Sequence, residues 1–315
     1  MKRNAGKADS GIAVPNNATS LYVKMTFRKV HIILLLFLLP LSIFAKKQAP
    51  ALSEIERQRF IYYFYEAERL YEKGDYEAAF QLIDFCYMLN PEDAIINQYM
   101  GDFFSGFHKP HIALPFYEKS YANDPLNEGI LARLEHTYVL TGQTKKAIRI
   151  RDKLDRRDGY DAYSAMRRYQ IYAAANDAKK SLNAVEDYLK LDPNNIQFLL
   201  LRLQVLEVTN APAKKLQAAY EQVLTLNPDN IVVLNNYAYF LATHKGDLSR
   251  AEQMSRYTLQ AEPRNPTYLD TYAWILYLRG ELLLAQMYIR QAIHMYDEQN
   301  IPEDVLNHYQ IIMKE

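Results

Sequence analysis

Prolines at Pro91, Pro125, Pro193, Pro228 and Pro263 divide the chain beyond Leu52 into stretches of 34, twice 34, 35 and 35 residues. A fixed period of this length marks a repeat architecture, in which one small supersecondary unit is stacked many times. Within each period the apolar residues recur at helical spacing. Glycine is scarce, 10 in 315 residues, whereas Ala, Leu, Glu, Gln and Tyr are plentiful. This composition favours helices over strands and turns. With 49% hydrophobic and 23% charged residues the chain can build a core.

Residues 60–93 carry Tyr63, Ala67, Leu70, Ala79, Ile83 and Pro91, with Lys73-Gly74-Asp75-Tyr76 between two helical patterns. Residues 94–127 repeat this with Met100, Gly101, Phe104, Ala113, Tyr117 and Pro125. Residues 231–265 and 266–297 match in tandem through Ala238, Leu241, Ala251, Pro263, Ala273, Leu276, Gly280 and Ala285. The pattern resembles the tetratricopeptide-repeat family. In that family a unit is helix A, a turn and helix B, with small residues at unit positions 8 and 20 where the helices cross. The resemblance implies an all-α fold, a right-handed α–α superhelical solenoid of about seven helix–turn–helix repeats. Units are expected at 60–93, 94–127, 128–161, 162–195, 196–230, 231–265 and 266–297, with a C-terminal capping helix in 302–315. Ser53, Glu54 and Glu56 suit a helix start near Leu52. The middle units depart from the pattern, because position 8 holds Glu135, Tyr169 and Leu203 and position 20 of one unit holds Leu216. Looser helix crossings are expected there.

The resemblance also implies a ligand groove lined by the A helices, through unit positions 2, 5, 9, 12 and 13. In this register unit one offers Ile61, Phe64, Glu68 and Tyr71, unit two Gln98, Asp102 and Ser105, unit three His136 and Val139. Unit four offers Tyr163, Met166 and Gln170, unit five Leu200, Gln204 and Glu207, unit six Asn235 and Tyr239, and unit seven Asp270, Trp274 and Tyr277. Such a lining is aromatic and amide-rich. It suits a protein or peptide segment, because aromatics give large contact area at low entropic cost and amides bond a backbone. The competing reading is that the aromatics pack against neighbouring A helices. The family's carboxylate clamp is absent: around Asn236 stand Leu200, Gln204, Thr267 and Thr271, with no cation to meet a carboxylate.

No constellation for catalysis or cofactor binding is present. There is no Gly-rich phosphate loop, no nucleophile with a base, and no HExxH or CxxC. His108 and His111 lack a third metal ligand, and Cys86 reads as core. Lys145–Arg157 is a basic run read as a solvated helix face, with an acidic partner as the alternative.

Val30–Ala45 is an apolar run after Arg28 and Lys29, as in a secretory signal, and residues 1–24 are patternless, so Met25 is the expected start. A linker would then occupy 46–51. Removing residues 1–45 leaves 31 basic against 36 acidic residues, which disfavours nucleic acid as a partner. The chain is therefore read as an exported, periplasmic or secreted, non-enzymatic scaffold. The alternative is a membrane-tethered subunit that retains 30–45.

Overall fold

A computed structural model describes residues 52–125, 127–297 and 300–314. The expected extension 1–24, leader 25–45 and linker 46–51 lie outside the described residues. Among these residues every regular element is a helix. The described residues form two compact bodies, one ending at Asp177 and the other starting at Ala178. The first holds α1 (Glu54–Glu72), α2 (Tyr76–Leu89), α3 (Ala94–Gly106), α4 (Pro110–Asn123), α5 (Glu128–Leu140), α6 (Thr144–Asp158) and α7 (Ala162–Ala174). The second holds α8 (Ala178–Leu189), α9 (Ile196–Val208), α10 (Ala213–Leu226), α11 (Ile231–Thr243), α12 (Leu248–Ala261), α13 (Pro266–Leu278), α14 (Leu282–Met295) and α15 (Glu303–Lys314). In each body the helices pair as A–B hairpins, and the next A helix packs on the hairpin before it.

Two local devices recur with the period. The A helices that open at 94, 128, 162, 196, 231 and 266 are capped by Asp93, Asn127, Asp161, Asn195, Asn230 and Asn265, whose side chains accept first-turn backbone N–H groups. Each cap contributes about 1 kcal/mol. The turn from A to B holds a left-handed residue at the same unit position throughout: Gly74, His108, Gly142, Asn176, Asn210, Lys245 and Gly280. Glycine and asparagine adopt this conformation cheaply, whereas His108 and Lys245 do so at a cost of roughly 1–2 kcal/mol. His108 thus shapes the turn that aims α4.

The A–B crossings explain the departures from the repeat pattern. In the second hairpin Gly101 lies against the Tyr117 ring, so closely that a Cβ would fall 2.4 Å from a ring carbon. At the same two positions stand Ala67 with Ile83 and Ala273 with Ile289, all buried. Glu135 replaces the small residue in the third hairpin, and its counterpart there is Arg151, so an ion pair fills the crossing. In the hairpin α9/α10, Leu203, Leu216 and Tyr220 are all buried. Bulk on both sides holds these helices apart, and they approach over fewer residues than α3 and α4 do.

Cys86 is wholly buried. Burial pushes its thiol up to about 12, so it remains protonated and inert at neutral pH. Among the described residues no helix is long and apolar enough to cross a membrane.

Candidate partner-binding surface

In the body 54–177 the A helices α1, α3, α5 and α7 lie side by side, joined by a recurring polar rung. The Tyr99 hydroxyl donates to Glu68 Oε1 at 3.0 Å, Arg133 Nε to Asp102 Oδ1 at 2.7 Å, and Arg167 Nε to Glu135 Oε1 at 2.8 Å. Each rung runs from unit position 8 or 9 on one A helix to position 6 on the next. Asp102 also accepts from the Tyr117 hydroxyl at 2.7 Å. Burial, then the Asp102 charge, holds that phenol far above its ordinary pKa. Gln98 accepts from Asn127 Nδ2 at 3.0 Å. Phe64 and Tyr71 meet the Tyr99 ring edge-on, with centroids 5.8 and 6.4 Å apart. These four groove candidates are half-buried and engaged with the neighbouring helix, so they brace the array more than they face outward.

The last of these rungs leads into a buried ionic network. Arg151 and Glu135 are 4% and 2% exposed. Arg151 Nη1 lies 3.3 Å from Glu135 Oε2, an oxygen with no well-formed hydrogen bond, and Arg151 Nε donates to Asp155 Oδ1 at 2.7 Å. Arg168 on α7 donates to Asp152 at 2.7 Å and to Asp155 Oδ2 at 2.9 Å, and Ser164 donates to Asp155. The basic run of α6 is therefore not simply a solvated face. Lys145, Arg149 and Arg156 are exposed, but Arg151 turns inward because Glu135 across the crossing needs a cation.

Other candidates remain open to solvent. His136, Tyr163 and Gln170 are exposed and Met166 is half-buried. Tyr163 is 64% exposed, with the Arg151 guanidinium 5.7 Å from its ring centroid. Arg167 Nη1 donates to Gln170 Oε1 at 2.9 Å. Partial burial, then the Arg167 charge, lowers the His136 pKa, so its imidazole is neutral at pH 7. Tyr163 belongs to a row. Ile61, Ile95, Gly129 and Tyr163 stand 34 residues apart, one per A helix, and all four are exposed. Ile95 was not among the groove candidates read from sequence. Its period with Ile61 and Tyr163 is the signal that finds it.

In the body from Ala178 onward the candidates are mostly covered. Gln204 is exposed and stands apart. Asn235 is 3% exposed and its Oδ1 has no partner, and Asp270 is 2% exposed, so neither is presented to a ligand. The physical reason is clearest for Asp270: α15 packs over α13, and His308 Nδ1 donates to Asp270 Oδ1 at 2.9 Å. The same imidazole stacks on Trp274 at 4.2 Å and sits 3.4 Å from the Tyr239 hydroxyl. Tyr277 stacks on the Trp274 indole at 5.3 Å. The sole tryptophan is thus roofed by the last helix.

Among the described residues no group of three or more His, Cys, Asp or Glu side chains is placed to hold a metal ion. Residues 219–253 match the sequence pattern of the tetratricopeptide repeat. No curated protein sequence matches the chain. Among solved structures, the C-terminal part of a TPR repeat-containing protein from Cytophaga hutchinsonii is similar with a TM-score of 0.58 at 13% identity, over 78% of this chain and 98% of that one. A chain from the structure of Naa15/Naa10 bound to HypK-THB also gives 0.58, at 12% identity, over 82% of this chain and 41% of that one. A tetratricopeptide-repeat protein from Parabacteroides merdae aligns over 81% of this chain and 99% of that one, at 14% identity and a TM-score of 0.44. Residues 219–253 are thus matched as a tetratricopeptide repeat, and the periodic hairpins share the all-α repeat architecture of solved tetratricopeptide-repeat structures.

Proposed function

We propose that this protein is an exported scaffold that holds an extended segment of a partner protein along the A-helix face of residues 54–177. The observation that carries this reading is the exposed row Ile61, Ile95, Gly129 and Tyr163, one residue per A helix. Packed helices lie roughly 8–10 Å apart, and an extended chain rises about 3.3 Å per residue. Three residues of an extended partner therefore span one A helix. An apolar side chain at every third position meets Ile61, Ile95 and Tyr163 in turn, and a bulky one fits over Gly129. Gln170 and the neutral His136 supply polar groups for the partner's backbone.

Export rests on the apolar run Val30–Ala45 behind Arg28 and Lys29, and an envelope assembly is the setting that such a leader favours. The acidic balance beyond residue 45 supports a protein partner over nucleic acid.

The test is affinity for a partner captured on the immobilised protein. Ile95→Asp and Tyr163→Ala are expected to weaken binding at least about tenfold each, because each removes a desolvated apolar contact. Leu283→Asp, at an 83% exposed position on α14, is expected to leave it unchanged. Equal affinity in all three variants would reject the row as the binding surface.

A further inference from the structure

The α1 helix is 19 residues long, whereas α3, α5, α7, α9, α11 and α13 each have 13. The extra turn and a half at its start is secured by a reciprocal cap, in which Ser53 and Glu56 each bond the other's backbone N–H. This extension prolongs a stripe on the side of α1 turned away from α3. Ile55, Arg59, Tyr62, Glu66 and Arg69 recur at helical spacing along it. Ile55 and Tyr62 are each 65% exposed, beside Tyr65 at 65% and Phe85 at 48%. An array normally ends in a polar outer face, because an apolar end invites association. Here the end is aromatic.

The charges on the stripe say what fits it. Arg59 makes no hydrogen bond or ion pair with any described residue, and Glu66 is held by Arg69, whose Nε donates to it at 2.7 Å. If a second α1 is laid antiparallel on the first with Tyr62 at the centre, Arg59 of each copy falls beside Glu66 of the other. Ile55 then covers the stem of Arg69. The stripe is complementary to itself under a two-fold axis, as an isologous interface requires. The four apolar side chains, at roughly 200 Å² each when fully exposed, offer about 500 Å² per copy. Standard interfaces bury about 800 Å² per partner, and the charged stripe residues supply the remainder.

The geometry points to a homodimer in which α1 of one chain packs antiparallel against α1 of a second copy. This inference is independent of the groove reading, because the stripe shares no residue with the row Ile61, Ile95, Gly129 and Tyr163.

Cys86 is wholly buried, so one introduced cysteine is the single accessible thiol. The full chain with Tyr62→Cys is expected to form a disulfide-linked dimer on mild oxidation at micromolar concentration. A Gln170→Cys control, exposed on α7, is expected to remain monomeric. In the Tyr62→Cys background, Arg59→Glu alone and Glu66→Arg alone are each expected to cut the yield severalfold, and the two together to restore it. Helical circular dichroism of each variant confirms that these exposed changes leave the fold intact. A yield no higher than the Gln170→Cys control would overturn the proposal, as when residues 1–51 or another protein cover the stripe. So would a dimer indifferent to the charge exchange.

Discussion

Arg151→Leu is expected to destabilise the protein by about 3 kcal/mol, measured by chemical denaturation. The guanidinium is 4% exposed and holds Glu135 Oε2 and Asp155 Oδ1 together in the crossing of α5 and α6. Without it Glu135 keeps Arg167 on its other oxygen and Asp155 keeps Arg168, so the loss falls at the low end for a broken buried pair. The stronger test is the double variant Glu135→Ala with Arg151→Leu, which puts a small and an apolar residue at the positions that Ala67 with Ile83 and Ala273 with Ile289 hold in two other hairpins. Removing both members of a buried ion pair avoids leaving one charge uncompensated, so the double variant is expected to be no less stable than Arg151→Leu alone. A double variant as unstable as the sum of the single ones would show that the two residues do not act as a unit.

Gly101→Ala opposes two effects of known sign. In a helix interior the change from glycine to alanine is favourable by about 1 kcal/mol. Against this, the new Cβ falls 2.4, 2.5 and 2.9 Å from three carbons of the Tyr117 ring. That ring is 2% exposed and its hydroxyl is tied to Asp102, so it has nowhere to retreat. Overpacking of this kind costs roughly 1–3 kcal/mol and more where the neighbour is fixed. A net loss of about 2 kcal/mol is expected, relieved by Tyr117→Leu in the same chain. A Gly101→Ala protein as stable as wild type would mean that α3 and α4 slide apart at little cost.

Much of this architecture is legible in the residues because the period is written several times over. The prolines give it, and so do the capping residues Asp93, Asn127, Asp161, Asn195, Asn230 and Asn265, each two residues beyond a proline or, at Asp161, beyond Gly159. Those caps are a sharper signal than the small residues at the crossings, since they persist through the middle units where the crossing pattern fails. The failure at Glu135 has a physical cause that no single position reveals. A carboxylate in a crossing is tolerable only with a cation at the matching place on helix B, and Arg151 looks like one more charge in a basic run until the two helices are superimposed.

The binding surface is less legible. A unit position says which side of a helix a residue occupies and nothing about what lies over it. Asp270 and Trp274 hold ligand-facing positions in the register, yet the last helix places His308 on both. Asp102 sits at such a position too, and its Oδ1 accepts from both Arg133 and Tyr117. Exposure separates these from Tyr163 and Ile95, and exposure is a property of the packed array.

The scaffold reading stands or falls on which face of the hairpins meets a partner. Hydrogen exchange of the protein alone and with its captured partner locates that face directly, because amides under a bound segment are slowed. Added protection is predicted around Ile61, Ile95, Gly129 and Tyr163, with α2, α4 and α6 unchanged. Protection confined to α2, α4 and α6, or to neither set, would contradict it.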